Sequence, residues 1–116
     1  MLAAMATEPI EVSAERAAEL QADGALLIDV REGYERDAGH IAGSRHIELA
    51  ALNAAAPTIE RERTLVFYCR IGARSAMAAD AFHSAGYDAH SLAGGLLAWV
   101  QAGLPLTPED GHVASH

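Results

Sequence analysis

The residues with the clearest chemistry lie in one stretch, Leu65-Val66-Phe67-Tyr68-Cys69-Arg70-Ile71-Gly72-Ala73-Arg74-Ser75. Cys69 is the only cysteine of the protein. The nucleophilic form of cysteine is the thiolate, which nearby positive charge and unpaired amides favour. Arg70 and Arg74 bring the charge. The amides come from geometry, because the first turn of a helix has N–H groups without internal partners and a partial positive charge. A glycine-containing loop at such a helix start is an anion cradle. The usual fate of a lone cysteine is an inert place in a core. An inert thiol has no need of two arginines and a glycine beside it, so Cys69 reads as a reactive nucleophile.

The flanking elements must put it there. Leu65 to Tyr68 reads as a short strand buried on both faces, and Ser75 to Ala85 as a helix with Met77, Ala78, Ala81, Phe82 and Ala85 at helical spacing. Before them, Ile10-Glu11-Val12 reads as a strand. Ser13 caps a helix over 14–22 that closes at Asp23-Gly24, and residues 25–28 form a second buried strand that delivers Asp29-Val30-Arg31-Glu32. Residues 32–38 suit a short helix stopped by Gly39, residues 45–47 an edge strand, and residues 49–55 a helix ending before Pro57. After Gly86 come a strand over 88–92, a glycine hinge at Gly94-Gly95, and a helix carrying Leu96, Leu97, Trp99 and Val100 that stops at Gly103. Strands alternating with helices predict an α/β fold with a parallel sheet covered on both faces, whose ligands sit beyond the carboxyl ends of the strands. Cys69 and Asp29 both fall there.

Composition narrows the functional classes. A chain of 116 residues with 51% hydrophobic and 21% charged residues is one ordinary globular domain. Its net charge of −8 argues against nucleic acid or an anionic membrane as partner, and makes the cationic loop a local exception. One cysteine forms no internal disulfide. The opening residues 1–6 are too short and lack the basic flank for a signal peptide, so a cytoplasmic location is the expectation. The six histidines form no metal constellation with the cysteine, and no cofactor is expected; His112 and His116 stand four apart in a tail expected to fray.

Three pieces of the sequence resemble the rhodanese family. Asp29-Val30-Arg31, Glu35, Gly39-His40-Ile41 and Gly43-Ser44 are similar to its first signature, and Cys69 to Ser75 to its active-site loop. Leu92, Gly94-Gly95, Ala98-Trp99 and Gly103-Leu104-Pro105 resemble its closing signature. Arg36 stands where the family commonly has an aromatic residue, and Ala42 where proline is common. The resemblance implies a rhodanese domain over 8–105, with flexible segments at 1–7 and 106–116. It further implies a three-layer α/β/α fold around a five-stranded parallel sheet, and a thiosulfate sulfurtransferase that carries sulfur as a persulfide on Cys69.

On that basis the loop residues Arg70, Ile71, Gly72, Ala73, Arg74 and Ser75 bind the donor and the persulfide, the amides of Arg70 to Arg74 facing the terminal sulfur. Ser75 has a competing role as helix N-cap. Arg70 meets the sulfonate of thiosulfate, while Arg74 buttresses the loop through Asp29 or Glu35. Asp29 and Arg31 form a structural pair, His40 is structural, and Trp99 anchors the core. The acceptor is cyanide or a thiol, including a thioredoxin-like protein. Phosphatases and arsenate reductases of this architecture have five residues between cysteine and arginine. The four here, Arg70 to Ala73, suit one sulfur atom better than a tetrahedral oxyanion. A non-catalytic binding module is the remaining alternative.

Overall fold

The computed structural model describes residues 8–116; the expectation for residues 1–7 lies outside them. Five strands, β1 (Glu11–Val12), β2 (Leu26–Asp29), β3 (Arg45–His46), β4 (Leu65–Tyr68) and β5 (Ala89–Leu92), pair in parallel in the order β1-β5-β4-β2-β3. The helices are α1 (Ala14–Ala22), α2 (Gly33–Ala38), α3 (Leu52–Ala55), α4 (Ala73–Ser84) and α5 (Gly95–Gln101), with 3-10 turns on both sides of α3. This is the three-layer α/β/α arrangement that the sequence implies.

Strand alternation sorts the core into two layers. On β4, Leu65 and Phe67 join Ala78, Ala79 and Phe82 of α4 on one face. Val66 and Tyr68 join Ala17 of α1 and Leu96 and Trp99 of α5 on the other. Successive side chains of a strand point to opposite faces, so a central strand covered on both sides must be apolar at every position. Trp99 lies in this second layer as expected, its Nε1–H donating to the Pro105 carbonyl at 2.8 Å.

The helix after Cys69 differs from its sequence reading in two respects. It begins at Ala73, with Gly72 in the left-handed region (φ 107°) as its cap, so Ser75 is already inside the first turn and is not the N-cap. Its buried face is Ser75, Ala78, Ala79 and Phe82, while Met77, Ala81 and Ala85 look outward. A helical stripe of small apolar residues fixes the period but leaves its facing ambiguous by one position.

The tail over 106–116 packs back against α2 and the connection that follows it. Thr107 and His40 exchange backbone hydrogen bonds at 3.0 and 2.8 Å, and the His112 N–H donates to the Ala38 carbonyl at 2.9 Å. A Cβ on Gly39 would stand 2.7 Å from the His112 backbone, so the absence of a side chain there lets the tail pass. The tail thus comes to lie along α2, with Tyr34 Oη donating to the Ser115 carbonyl at 3.1 Å. No helix among the described residues is long and apolar enough to cross a membrane.

Candidate active site

Strand β4 ends at Tyr68 and hands Cys69 directly to the loop preceding α4. Two amides converge on the sulfur: Gly72 N–H donates to Sγ at 3.1 Å and Ser75 N–H at 3.4 Å. Gly72 belongs to the set expected from sequence; the Ser75 amide lies one residue beyond it and reaches the sulfur because the helix starts early. Ser75 Oγ lies 3.6 Å from Sγ, 3.2 Å from the Gly72 carbonyl and 2.8 Å from Ser91 Oγ on β5. Sequence reasoning missed Ser91, whose position inside a buried strand far along the chain gave no signal.

The loop is held from behind. Leu96 and Leu97 N–H, in the first turn of α5, donate to the carbonyls of Cys69 and Arg70 at 2.8 and 3.2 Å. Gly95 makes that approach possible, since a Cβ there would lie 2.4 Å from the Arg70 carbonyl oxygen. The helix start that follows the glycine hinge therefore turns the loop carbonyls away from the sulfur and leaves its amides facing it.

Cys69 is 1% exposed, yet it lines an open cavity of about 320 Å³ with Arg70, Ile71, Ala73, Arg74 and His116. Ile71 forms an apolar rim and is 56% exposed. Arg70 Nε is buried with no hydrogen-bond partner among the described residues. Arg74 turns under the loop and forks onto Glu35 of α2, Nη1 to Oε1 at 2.9 Å and Nη2 to Oε2 at 3.0 Å. Of the two carboxylates that sequence offered to Arg74, Glu35 is the one it meets. Burial of Glu35 alone would raise its carboxyl pKa; the Arg74 fork and the Glu32 N–H (3.1 Å to Oε1) outweigh it, so the group lies below its ordinary value.

Behind this pair sits a second one. Arg31 donates through Nε and Nη2 to Asp29 at 2.9 and 2.8 Å and through Nη2 to the Gly39 carbonyl at 2.8 Å, and both side chains are fully buried. Asp29 and Arg31 thus tie the end of β2 to the α2–β3 connection, away from the sulfur. His40 also stands apart from the cavity, its Nδ1 3.1 Å from the Arg36 carbonyl. Arg36 itself reaches the Ser44 carbonyl at 3.1 Å and comes within 3.9 Å of Asp29. Tyr68, the last residue of β4, puts its hydroxyl 3.1 Å from the Ile41 N–H and 2.9 Å from Ser44 Oγ. Burial, aided by Asp29, pushes its phenol up to about 12.

His116, read from sequence only as part of the tail, stays exposed at the mouth of the site. It belongs to the Cys69 cavity, and its Nε2 lies 3.3 Å from Glu32 Oε2. Glu32, Glu35 and His116 bring donor atoms within 4.8 Å of one another. Glu35 is committed to Arg74, so two ligands at most remain there for a cation.

The arrangement is a sulfur atom met by two amide donors at a helix start, with Arg70 lining the cavity and Arg74 held to Glu35. Residues 13–102 match the model of the rhodanese-like domain. The chain belongs to the rhodanese-like domain family. An uncharacterized protein of Synechocystis, slr1261, is 41% identical to it over 86 residues, 73% of this chain and 48% of that protein. The chain thus spans about half of that relative, and 20% of another at the same identity. Thiosulfate sulfurtransferase GlpE of Pseudomonas aeruginosa is 34% identical over 89 residues, covering 76% of this chain and 81% of that one. Among solved structures, a rhodanese-related protein of Thermoplasma volcanium superposes with a TM-score of 0.80 at 27% identity, covering 85% of this chain and 98% of its own. Sulfurtransferases therefore stand among the relatives of this rhodanese-like domain.

Proposed function

We propose that this protein is a thiosulfate-type sulfurtransferase working by a two-step exchange through a Cys69 persulfide. The observation that carries the reading is the pair of amides aimed at Sγ beneath a cavity lined by Arg70. In the first step the Cys69 thiolate attacks the outer sulfur of thiosulfate, the S–S bond breaks, and its electron pair leaves on sulfite. Arg70 meets the sulfonate. In the second step an acceptor, cyanide or a thiol including one on a thioredoxin-like protein, attacks the outer sulfur of the persulfide and returns Cys69 as thiolate.

The loop amides are preorganised for an anionic sulfur, in the manner of an oxyanion hole. Arg74 does not reach for substrate in this reading. With Glu35 it holds the loop, as Asp29, Arg31 and His40 hold the elements behind it. Sulfite leaves without a proton, so no acid beside the loop is required, in contrast to phosphate ester hydrolysis.

The deciding measurement is intact mass after incubation with thiosulfate. A gain of one sulfur that cyanide removes, and that Cys69→Ala abolishes, supports transfer. An unchanged mass for the native protein favours a non-catalytic binding module instead.

A further inference from the structure

The tail brings a second polar pair to the mouth of the cavity, outside the matched residues 13–102. Its route is built in several places: the bridge between Thr107 and His40, the His112 bond to Ala38, the close pass over Gly39, and Tyr34 holding Ser115. At its end His116 faces Glu32, the residue before α2, with Nε2 3.3 Å from Oε2. His116 lines both the Cys69 cavity and the adjoining one, of about 360 Å³, shared by Val30, Glu48, Leu49 and Arg74.

We infer that His116, oriented by Glu32, is the general base for the acceptor thiol in the second half of the reaction. The inference rests on the sulfurtransfer reading above and names how that same site handles a proton. A carboxylate that accepts Nε2–H fixes the tautomer and leaves the lone pair on Nδ1. An acceptor thiol entering the cavity gives its proton to that nitrogen. Its sulfur then attacks the outer sulfur of the Cys69 persulfide. The bond between the two persulfide sulfurs breaks, the electron pair stays on Cys69 Sγ, and the acceptor departs as its own persulfide. Imidazolium returns the proton to water, so no oxidant or reductant is consumed.

The gain has a chemical origin. A thiol of ordinary pKa, about 8.5, is only about 3% ionised at pH 7. The loop amides face the sulfur of Cys69, whereas an acceptor arriving from solvent brings no such donors. The groups facing His116 are Glu32 just before α2 and Glu35 within it, Glu48 from the segment before α3, Arg74 from α4, and Arg70 and Cys69 from the loop. Arg74 is already paired with Glu35, so Glu32 is the carboxylate within bonding distance of the imidazole.

The test uses the whole protein, loaded with thiosulfate and freed of excess donor. Loss of the extra sulfur is followed by quenched-flow mass spectrometry between pH 6 and 10, with glutathione as the thiol and sulfite as an acceptor that is already an anion. In His116→Ala and His116→Gln the ratio of glutathione to sulfite discharge is expected to fall about tenfold at pH 7. The gap should close by about pH 9.5, where the thiol ionises unaided. Added imidazole should restore part of the loss in His116→Ala. An unchanged ratio overturns the assignment. So does a fall of equal size at every pH without rescue, which marks a structural role for the tail. Failure of the native protein to take up sulfur overturns the sulfurtransfer reading and the base assignment with it.

Discussion

Replacing Glu35 by glutamine removes one charge from the pair beneath the loop while keeping the volume, so no cavity term enters. Glu35 is fully buried and Arg74 is 19% exposed as a side chain. Removing one partner of a buried ion pair costs about 3–5 kcal/mol, because the other charge is left uncompensated. Arg74 can turn partly toward water, which puts the expected cost near the lower end, about 3 kcal/mol. For a domain of this size that is a drop in Tm of about 12 °C, or a lower urea midpoint at unchanged m. The pH dependence adds a second constraint. The folded carboxyl lies below its unfolded value of about 4.3, so the native state binds its proton less readily than the unfolded chain. The stabilisation is therefore complete above that unfolded value and is lost as pH falls through the lower folded one. The gap between native protein and Glu35→Gln should be full at pH 7 and shrink below pH about 4. Arg74→Met combined with Glu35→Gln should cost less than the sum of the two single changes, by about 2 kcal/mol. A cost under about 1 kcal/mol, or a gap that ignores acid, would refute the claim that this pair props up the loop.

Four further outcomes are expected. Gly95→Ala drives a Cβ into the Arg70 carbonyl at φ 64°, so sulfur uptake by mass should drop at least tenfold together with a lowered Tm. Arg70→Ala should lower kcat/KM for thiosulfate about tenfold with a much smaller change in kcat; a proportionate loss in kcat would argue against a role in donor capture. Tyr68→Phe leaves the Ile41 N–H without its partner and should destabilise by about 1–3 kcal/mol in urea titrations. In a spectrophotometric titration of the native protein, the Tyr68 phenol should ionise near 12 rather than 10. Because the unfolded chain gives up that proton first, stability should fall as pH rises between those values.

The strand–loop–helix around Cys69 was legible because several local rules agree there: an apolar strand, a glycine, and a helix-forming run. Gly94-Gly95 could be read as a hinge, but its closer purpose, admitting α5 against the loop, depends on a contact between segments some 25 positions apart in sequence, which no local pattern encodes. Ser75 illustrates a limit of capping statistics. Serine suits an N-cap, yet Gly72 takes that place because the turn around the sulfur requires a positive φ. Ser91 and His116 were invisible for opposite reasons. One is a small polar residue in a short strand that also holds His90, and the other stands in a segment without periodicity whose path is set by Gly39 and Ala38 rather than by its own residues.

The strand order carries a consequence for how the chain is made. β1 lies at one edge, next to β5, with Glu11 opposite Ser91 and Val12 opposite Leu92. Among the described strands, β1 thus has no neighbour until β5 has been synthesised, whereas β2 and β4 at the middle can meet much earlier. Pairings this distant along a chain are slow to form and leave an edge uncovered in the interval. Nascent forms of this domain should accordingly be most vulnerable to proteases and to self-association just before β5 emerges, and a permuted chain that begins at β2 and ends with β1 and α1 should refold without that delay.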